Sequence, residues 1–346
     1  MTDIINKLKN SQKLTYDEFL WLLNNRDDNL ADTLAQMAVE KRKERFGNGV
    51  FVRGLIEFSN YCKNNCYYCG IRCGNKNADR YRLTKEQILQ CCDFGYDVGY
   101  RTFVLQGGED VFFTPDKIAD IVSSIKQKHH DCAITLSFGE HKKEVYQQWF
   151  DAGADRYLLR HESANQDHYA QLHPDNMSLS NRLECLQNLK DIGFQVGCGI
   201  MVGSPYQTNE HIANDLVFMQ DFKPHMVGMG PFIPHKDTPF ANFEAGTLKQ
   251  TLFLLSIVRL ILPDVLLPAT TALGSIDPQG REKGILAGAN VCMPNLSPQS
   301  VRQKYALYNN KLFSGAESAE EFDNLNKRLN TIGYKIVVSR GDFKQF

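Results

Sequence analysis

The chain has 346 residues, 42% of them hydrophobic, and a formal net charge of −1. That is enough apolar material for a sizeable core and excludes a disordered chain. The near-neutral balance, with no basic run, gives no reason to expect a nucleic-acid partner.

In chain order, Met1–Lys13 is polar and shows no export signal. Leu20, Leu22, Leu23, Leu30, Leu34 and Met37 supply apolar faces, so residues 1–48 are predicted to be a helical extension. After Gly47 and Gly49 strands alternate with helices. Predicted strands are Val52–Phe58, Thr102–Gln106, Ala133–Ser137, Arg156–Leu159, Gln195–Met201, Met226–Gly230, Leu266–Thr270 and Asn290–Met293. Amphipathic segments follow most of them: Thr84–Tyr96, Pro115–Lys128, Lys142–Ala152, Ser178–Ile192, Thr208–Phe222, Thr247–Leu262 and Pro278–Leu286. Thr84 and Thr208 can cap helix starts, Pro115 suits a first turn, and Gly153 and Gly193 suit helix ends. The most apolar stretch, Leu252–Leu262, is interrupted by Arg259 and is too short to cross a bilayer, so no membrane association is expected. Residues 311–346 are predicted to be a C-terminal helix (Glu317–Leu329) and a tail with a short strand (Lys335–Val338), packing on the rest.

Alternating strands and helices imply a parallel sheet with helices outside it. The predicted fold is α/β, a closed (β/α)8 TIM-type barrel over residues 49–310, with an open doubly wound sheet as the alternative. The position of the polar residues favours the barrel. They follow the C-terminal ends of the strands, which in a barrel meet at one mouth where barrel enzymes do their chemistry.

Ten cysteines without an export signal point to a reducing cytoplasm. Cys91, Cys92, Cys132, Cys185, Cys198 and Cys292 sit in apolar patterns and read as small buried hydrophobes. Three others form Cys62-Lys63-Asn64-Asn65-Cys66-Tyr67-Tyr68-Cys69. Thiolates spaced this way can take three corners of a 4Fe–4S cube, whereas a full protein cage needs a fourth. The remaining iron is then open to a small molecule. A zinc site is the alternative, with Cys73 available as a fourth ligand, but structural zinc usually takes two separated ligand pairs. Cys73 reads as a bystander.

This spacing, with an aromatic just before the last cysteine, resembles the radical S-adenosylmethionine (radical SAM) enzymes. The resemblance implies that the open iron chelates the amino and carboxylate groups of SAM. An electron from the cluster then breaks a C–S bond, releasing methionine and a 5′-deoxyadenosyl radical. The strand ends offer groups to match. Gly107 and Gly108 allow close backbone approach beside the acceptor Glu109, or form an ordinary turn. Glu162 can accept from an amine or ribose. Arg182 can grip a carboxylate as a planar fork, or lie in a surface ion pair. Met201, in Gly199–Gly203, offers a flat apolar edge to adenine, or is plain core strand.

Longer strings narrow the resemblance. Ile56-Glu57-Phe58-Ser59-Asn60, Asn75-Lys76-Asn77, Arg80-Tyr81-Arg82, Val104–Asp110 and Ala152–Glu162 occur in order. Gly228–His235, Pro268–Ala272, Met293-Pro294-Asn295 and Arg302–Tyr308 follow them. Together they are similar to the HydE family of FeFe-hydrogenase maturases. That resemblance implies Cys62, Cys66 and Cys69 on one 4Fe–4S cluster, and Tyr68, Glu162, Arg182 and Met226 in the SAM site. It implies a substrate cavity lined by Gln106, Arg156, Arg160, Thr270, Thr271, Tyr305 and Tyr308. Tyr305 and Tyr308, three apart, also suit one helix face.

The implied substrate is a small organometallic iron–cysteine precursor, attacked at sulfur. The implied partners are other hydrogenase maturases and a one-electron donor such as ferredoxin or flavodoxin. Some members of the family hold a second cluster on C-terminal cysteines. Lys311–Ala316 contains no cysteine, so no second cluster of that kind is expected. The alternatives are a methylornithine synthase- or biotin synthase-like enzyme acting on a small amino-acid-derived or sulfur-insertion substrate, and a carrier without radical chemistry.

Overall fold

Hydroxyl caps set where the helices begin. In the computed structural model, which describes residues 2–313 and 322–344, Thr84 and Thr208 each accept from the backbone N–H three residues on. Gln87 and His211 reach back to the cap in return. Helices Lys85–Val98 and Asn209–Phe222 follow. Pro115 opens Pro115–Lys128, and Gly193, at φ +109°, closes Leu179–Ile192. Helices Thr2–Lys9, Tyr16–Asn24 and Asp28–Phe46 precede the first strand.

The strands are β1 (Gly49–Val52), β2 (Gly54–Ser59), β3 (Thr102–Gly107), β4 (Ala133–Ser137), β5 (Arg156–Leu158) and β6 (Gln195–Cys198). Then come β7 (Met201–Val202), β8 (Met226–Val227), β9 (Gly230–Pro231), β10 (Val291–Cys292) and β11 (Lys335–Val337). One parallel sheet runs β2-β3-β4-β5-β6-β8. Two further staves close it into a ring. Leu266 bridges Met226, Pro268 bridges Val291, and Asn295 bridges back to Leu55 on β2, all in parallel. The fold is the expected TIM-type barrel. β2 is buried along its whole length, because helices cover the outside of the barrel.

The strands depart from expectation in four places: Met226–Gly230 splits into β8 and β9 in different sheets, Leu266–Thr270 forms only isolated bridges, and two more segments break. Val52–Phe58 is two strands broken at Arg53, and β1 lies between β10 and β11 in a separate small sheet. Gln195–Met201 stops at Cys198 because Gly199 adopts φ +150° against Gly228; a Cβ there would sit 2.0 Å from the Gly228 carbonyl oxygen. The chain resumes as β7, paired with β9. The predicted C-terminal helix is seen as Phe322–Thr331, and residues 317–321 of it lie outside the described residues.

The C-terminal segment crosses the N-terminal end of the barrel. The Arg340 carbonyl accepts from Thr102 Oγ1 and from Arg156 Nη2, both at 2.7 Å, and Gln195 Oε1 accepts from the Phe343 backbone N–H at 2.9 Å. Phe343 packs with Met226, Met293 and Phe51. The barrel floor is therefore made by the chain's own tail. Among the described residues, no helix is long and apolar enough to cross a membrane.

Candidate active site

The loop after β2 carries the three cysteines, and its shape is set by side chains bonding to backbone. Asn60 Nδ2 donates to the carbonyls of Asp79 (2.8 Å) and Lys304 (2.7 Å), while its Oδ1 accepts from the Tyr81 N–H at 2.7 Å. Arg80 donates to the carbonyls of Asn60, Ile71 (2.8 Å), Arg72 (2.7 Å) and Asn75 (3.1 Å). A loop this irregular leaves carbonyls without ladder partners, and one guanidinium satisfies four of them. Arg82 grips Asp110 with two bonds, at 2.6 and 2.9 Å, and Asp110 also accepts from Ser59 Oγ at 2.6 Å. The cysteine loop is thereby tied to the turn after β3.

That turn meets the loop closely. A side chain at Gly108 would lie 2.3 Å from the Tyr61 carbonyl oxygen and 2.7 Å from Cys62 Cβ. Gly108 thus makes room for the cysteine loop as well as lining the cavity. At Gly139, φ +92°, a Cβ would sit 1.9 Å from the Glu109 carboxylate. Glu109 also accepts from the Glu140 N–H at 3.1 Å and pairs with Lys63 at 3.1 Å. Burial raises its pKa, and Lys63 acts against that rise.

Cys62, Cys66 and Cys69 share one cavity of about 300 Å³ at the C-terminal ends of the staves. Tyr68, Gln106, Gly107, Gly108, Glu109, Arg160, Glu162, Arg182, Met226, Thr270 and Tyr305 line it with them. Glu162 is at φ +63°, a backbone region that non-glycine residues rarely occupy, and its Oε2 accepts from Arg160 Nη2 at 2.8 Å. Arg182 is buried on its helix, bonded to Glu140 and, at 2.5 Å, to the Arg160 carbonyl. Its partner is thus a half-buried carboxylate beside the cavity, not a surface ion pair. Gln106 Nε2 reaches the Tyr305 hydroxyl at 3.4 Å.

Four predicted residues lie elsewhere. Arg156 begins β5, so it faces the opposite end of the barrel. Its guanidinium is wholly buried on Asp342, Thr102 Oγ1 and the Arg340 carbonyl. Met201 packs behind Tyr68 with Leu172, Phe232 and Phe240, because the break at Gly199 turns the chain away from the cavity. Thr271 opens helix Thr271–Ile276 and, like half-buried Tyr308, does not reach the cavity wall. Tyr305 and Tyr308 lie beyond the short helix Gln299–Arg302, so they share no helix face.

Other residues join the site without having been expected. Arg53 lines the cavity with its Nη1 on Met226 Sδ at 3.0 Å; its Nε and Nη2 are buried without partners among the described residues. Its sequence signal is a charge inside an apolar strand run. Thr135, like the expected Thr270, presents a buried hydroxyl with no partner among the described residues, and both line the same cavity. His173 stands behind Tyr68. Burial presses its pKa to about 3, so it is neutral at physiological pH. Its Nδ1 faces the Tyr169 carbonyl at 2.9 Å and must carry the proton; Nε2 therefore accepts from the Tyr68 hydroxyl at 3.2 Å.

The donor set fits an iron–sulfur cluster. Burial raises the pKa of all three thiols, that of Cys69 to about 12, and charge on Cys62 raises the pKa of both Cys66 and Cys69. Such thiolates become stable only beside a strongly positive centre. Among the described residues, no three His, Cys, Asp or Glu side chains converge on a single-ion site. A zinc ion needs that convergence, whereas the corners of a cube bind different irons. Cys73 is exposed and outside the cavity, and the six remaining cysteines are buried.

A parallel barrel with three such cysteines on the loop after its first stave is the architecture of the radical SAM enzymes, and residues 56–219 match the radical SAM superfamily. The chain is 46% identical over 310 residues to the [FeFe] hydrogenase maturase subunit HydE of Thermotoga maritima, covering 90% of this chain and 88% of that protein. It is 29% identical over 323 residues to the 3-methylornithine synthase of Methanosarcina acetivorans, covering 93% and 90%. The solved structure of methylornithine synthase (PylB) superposes with a TM-score of 0.86 at 27% identity, over 96% of this chain and 97% of that one. The chain belongs to the HydE family of radical SAM enzymes.

Proposed function

We propose that this chain is an FeFe-hydrogenase maturase acting inside its barrel on a small sulfur-containing organometallic iron–cysteine precursor. One observation carries the reading. In a chain 46% identical to HydE, the three cysteines share a cavity with Gln106, Arg160, Thr270 and Tyr305. A 4Fe–4S cluster held there by Cys62, Cys66 and Cys69 supplies reductive cleavage of SAM, and so a 5′-deoxyadenosyl radical directed at the precursor's sulfur.

The chain's own residues position the reactants. Glu109 and Glu162 accept from the SAM amine and ribose. Arg182, fixed by Glu140, lends positive charge to the carboxylate side, and Tyr68, locked by His173, walls the cluster. Deeper in the cavity Arg160, Thr270, Gln106 and Tyr305 donate to the anionic and π-acid ligands of an iron complex. The barrel walls and the tail floor exclude water from the radical. The proposed partners are another maturase that supplies the precursor and a low-potential one-electron donor such as ferredoxin or flavodoxin, in the cytoplasm.

The test is anaerobic reconstitution, followed by EPR with and without SAM and by assay of 5′-deoxyadenosine. The expected results are a changed spectrum of the reduced cluster on adding SAM, and cleavage stimulated by the iron–cysteine precursor. An intact cluster with no SAM cleavage, or zinc in place of iron, overturns the reading. The likeness to methylornithine synthase supports a second reading. Turnover of lysine, with none of the iron precursor, would favour it.

A further inference from the structure

The loop that carries the cysteines is basic. Residues 61–82 hold Lys63, Arg72, Lys76, Arg80 and Arg82 against a single anion, Asp79, a net charge of +4. The whole chain is −1, so everything outside this loop sums to −5. Such a concentration of one sign around a redox centre steers a partner of the opposite sign.

Beside the loop lies an exposed apolar patch. Val111 is 77%, Phe112 46% and Tyr61 37% exposed. Cations interleave with the rings. Arg82 lies 3.8 Å from the Tyr61 ring centroid and 4.8 Å from that of Phe112, and Lys117 Nζ stands 3.5 Å from the Phe112 centroid. Arg82 is paired with Asp110 and neighbouring Lys85 with Asp120, but Lys117 has no carboxylate partner among the described residues. Aromatic residues and arginine in an exposed cluster are the composition of an interface core, and Lys117, whose charge no described carboxylate offsets, gives it a charge preference.

The patch adjoins the cluster site through two segments. Tyr61 is the covalent neighbour of Cys62. Gly108, packed against Tyr61 and Cys62, stands two residues before Asp110, after which Val111 and Phe112 follow. We propose that this surface, Tyr61, Val111 and Phe112 with Arg82 and Lys117, docks a small acidic one-electron carrier protein that reduces the cluster. The step moves one electron: the carrier is oxidised by one, the cluster is reduced by one, and no bond forms or breaks. The proposal rests on the radical SAM reading and adds the face through which the electron enters.

The test uses the reconstituted holoprotein, with flavodoxin as the probe, and the variants Lys117→Glu and Phe112→Ser. Neither residue lines the cavity. Two readouts are needed. Binding of oxidised flavodoxin should be tight at low salt, weaken at high salt and weaken about tenfold in Lys117→Glu, as rim charge changes do. SAM cleavage driven by flavodoxin hydroquinone should show a KM for flavodoxin about tenfold higher in either variant, while the dithionite-driven rate stays at the wild-type value. Lys117→Arg should restore both. Unchanged flavodoxin affinity in both variants overturns the proposal, and so does a dithionite-driven rate that falls in parallel. If Lys117→Glu instead breaks self-association with flavodoxin affinity intact, the face belongs to a second copy of this chain and the proposal falls. A wild-type protein that fails to cleave SAM even with dithionite refutes the radical reading alone, and the binding titration still decides on the surface.

Discussion

Asp342, in the C-terminal tail, forms an ion pair at 2.6 Å with Arg156, whose side chain is completely buried at the N-terminal end of the barrel. Arg340 grips the same carboxylate at 2.8 Å and also pairs with Asp155 at 2.7 Å. The tail is thereby bolted under the cavity, with Phe343 against cavity-lining Met226 and Met293.

Removing Asp342 should loosen the floor. Burial works against its charge, but Arg340 and Arg156 prevail and hold its carboxyl at about 2. The folded pKa lies below the unfolded one, so the stabilisation is complete above about pH 4 and disappears as pH falls through about 2. Discounted for water access to the pair, Asp342→Asn should cost on the order of 1–2 kcal/mol at pH 7 and much less at pH 2. Urea unfolding at the two pH values measures this; an equal cost at both would remove the ion pair as the cause.

Buried histidines set a second acid sensitivity at higher pH. His141 is pressed to about 4 and His173 to about 3, in both cases chiefly by burial. Unfolding lets each take a proton below about 6.5 that the folded state refuses until its lower pKa. Stability is therefore full above pH 6.5 and falls on acidification toward pH 4 and 3, by up to about 1.4 kcal/mol per pH unit for each histidine. His173→Gln should flatten the slope of urea midpoint against pH between 6.5 and 4. An unchanged slope would clear His173.

The cysteines should divide by position. Cys66→Ala should abolish the visible absorption of the reconstituted protein, while Cys73→Ala should keep it, since Cys73 is exposed outside the cavity. Iron and sulfide should approach one cube per chain. A stable second cube, or loss of colour in Cys73→Ala, would contradict the ligand assignment.

Thr270 separates function from stability. Its buried Oγ1 has no partner among the described residues, a cost to the fold that a ligand would repay. Thr270→Val keeps the shape and should leave stability unchanged or raise it by about 1 kcal/mol. Substrate-dependent 5′-deoxyadenosine formation should fall about tenfold, the loss of roughly 1.4 kcal/mol expected for one hydrogen bond to a charged or strongly polar group. Full activity in this variant would place the substrate elsewhere.

Much of the molecule was legible because its signals are local. Cys62, Cys66 and Cys69 announce themselves by spacing. Thr84, Thr208, Pro115 and Gly193 mark helix ends by the backbone groups they satisfy or the φ they permit. The strand-end positions of Gln106, Glu109, Arg160 and Thr270 followed from one rule: the C-terminal ends of parallel staves meet. Arg156 and Arg160 show where that stops. They stand four residues apart on the same stave, and only the point at which β5 begins puts one at the floor and the other in the cavity.

Only the tertiary structure decided what reaches the cavity from a distance in sequence. Gly199 turns Met201 out of the wall, Arg53 enters it through a strand break, and His173 fixes Tyr68 across 105 residues of chain. The tail that closes the floor meets Arg156 across 186 residues. Spacing and caps are set by the geometry of a few bonded residues, so the sequence contains them. Contacts of this length depend on how the closed ring is staggered, which no short window of residues encodes.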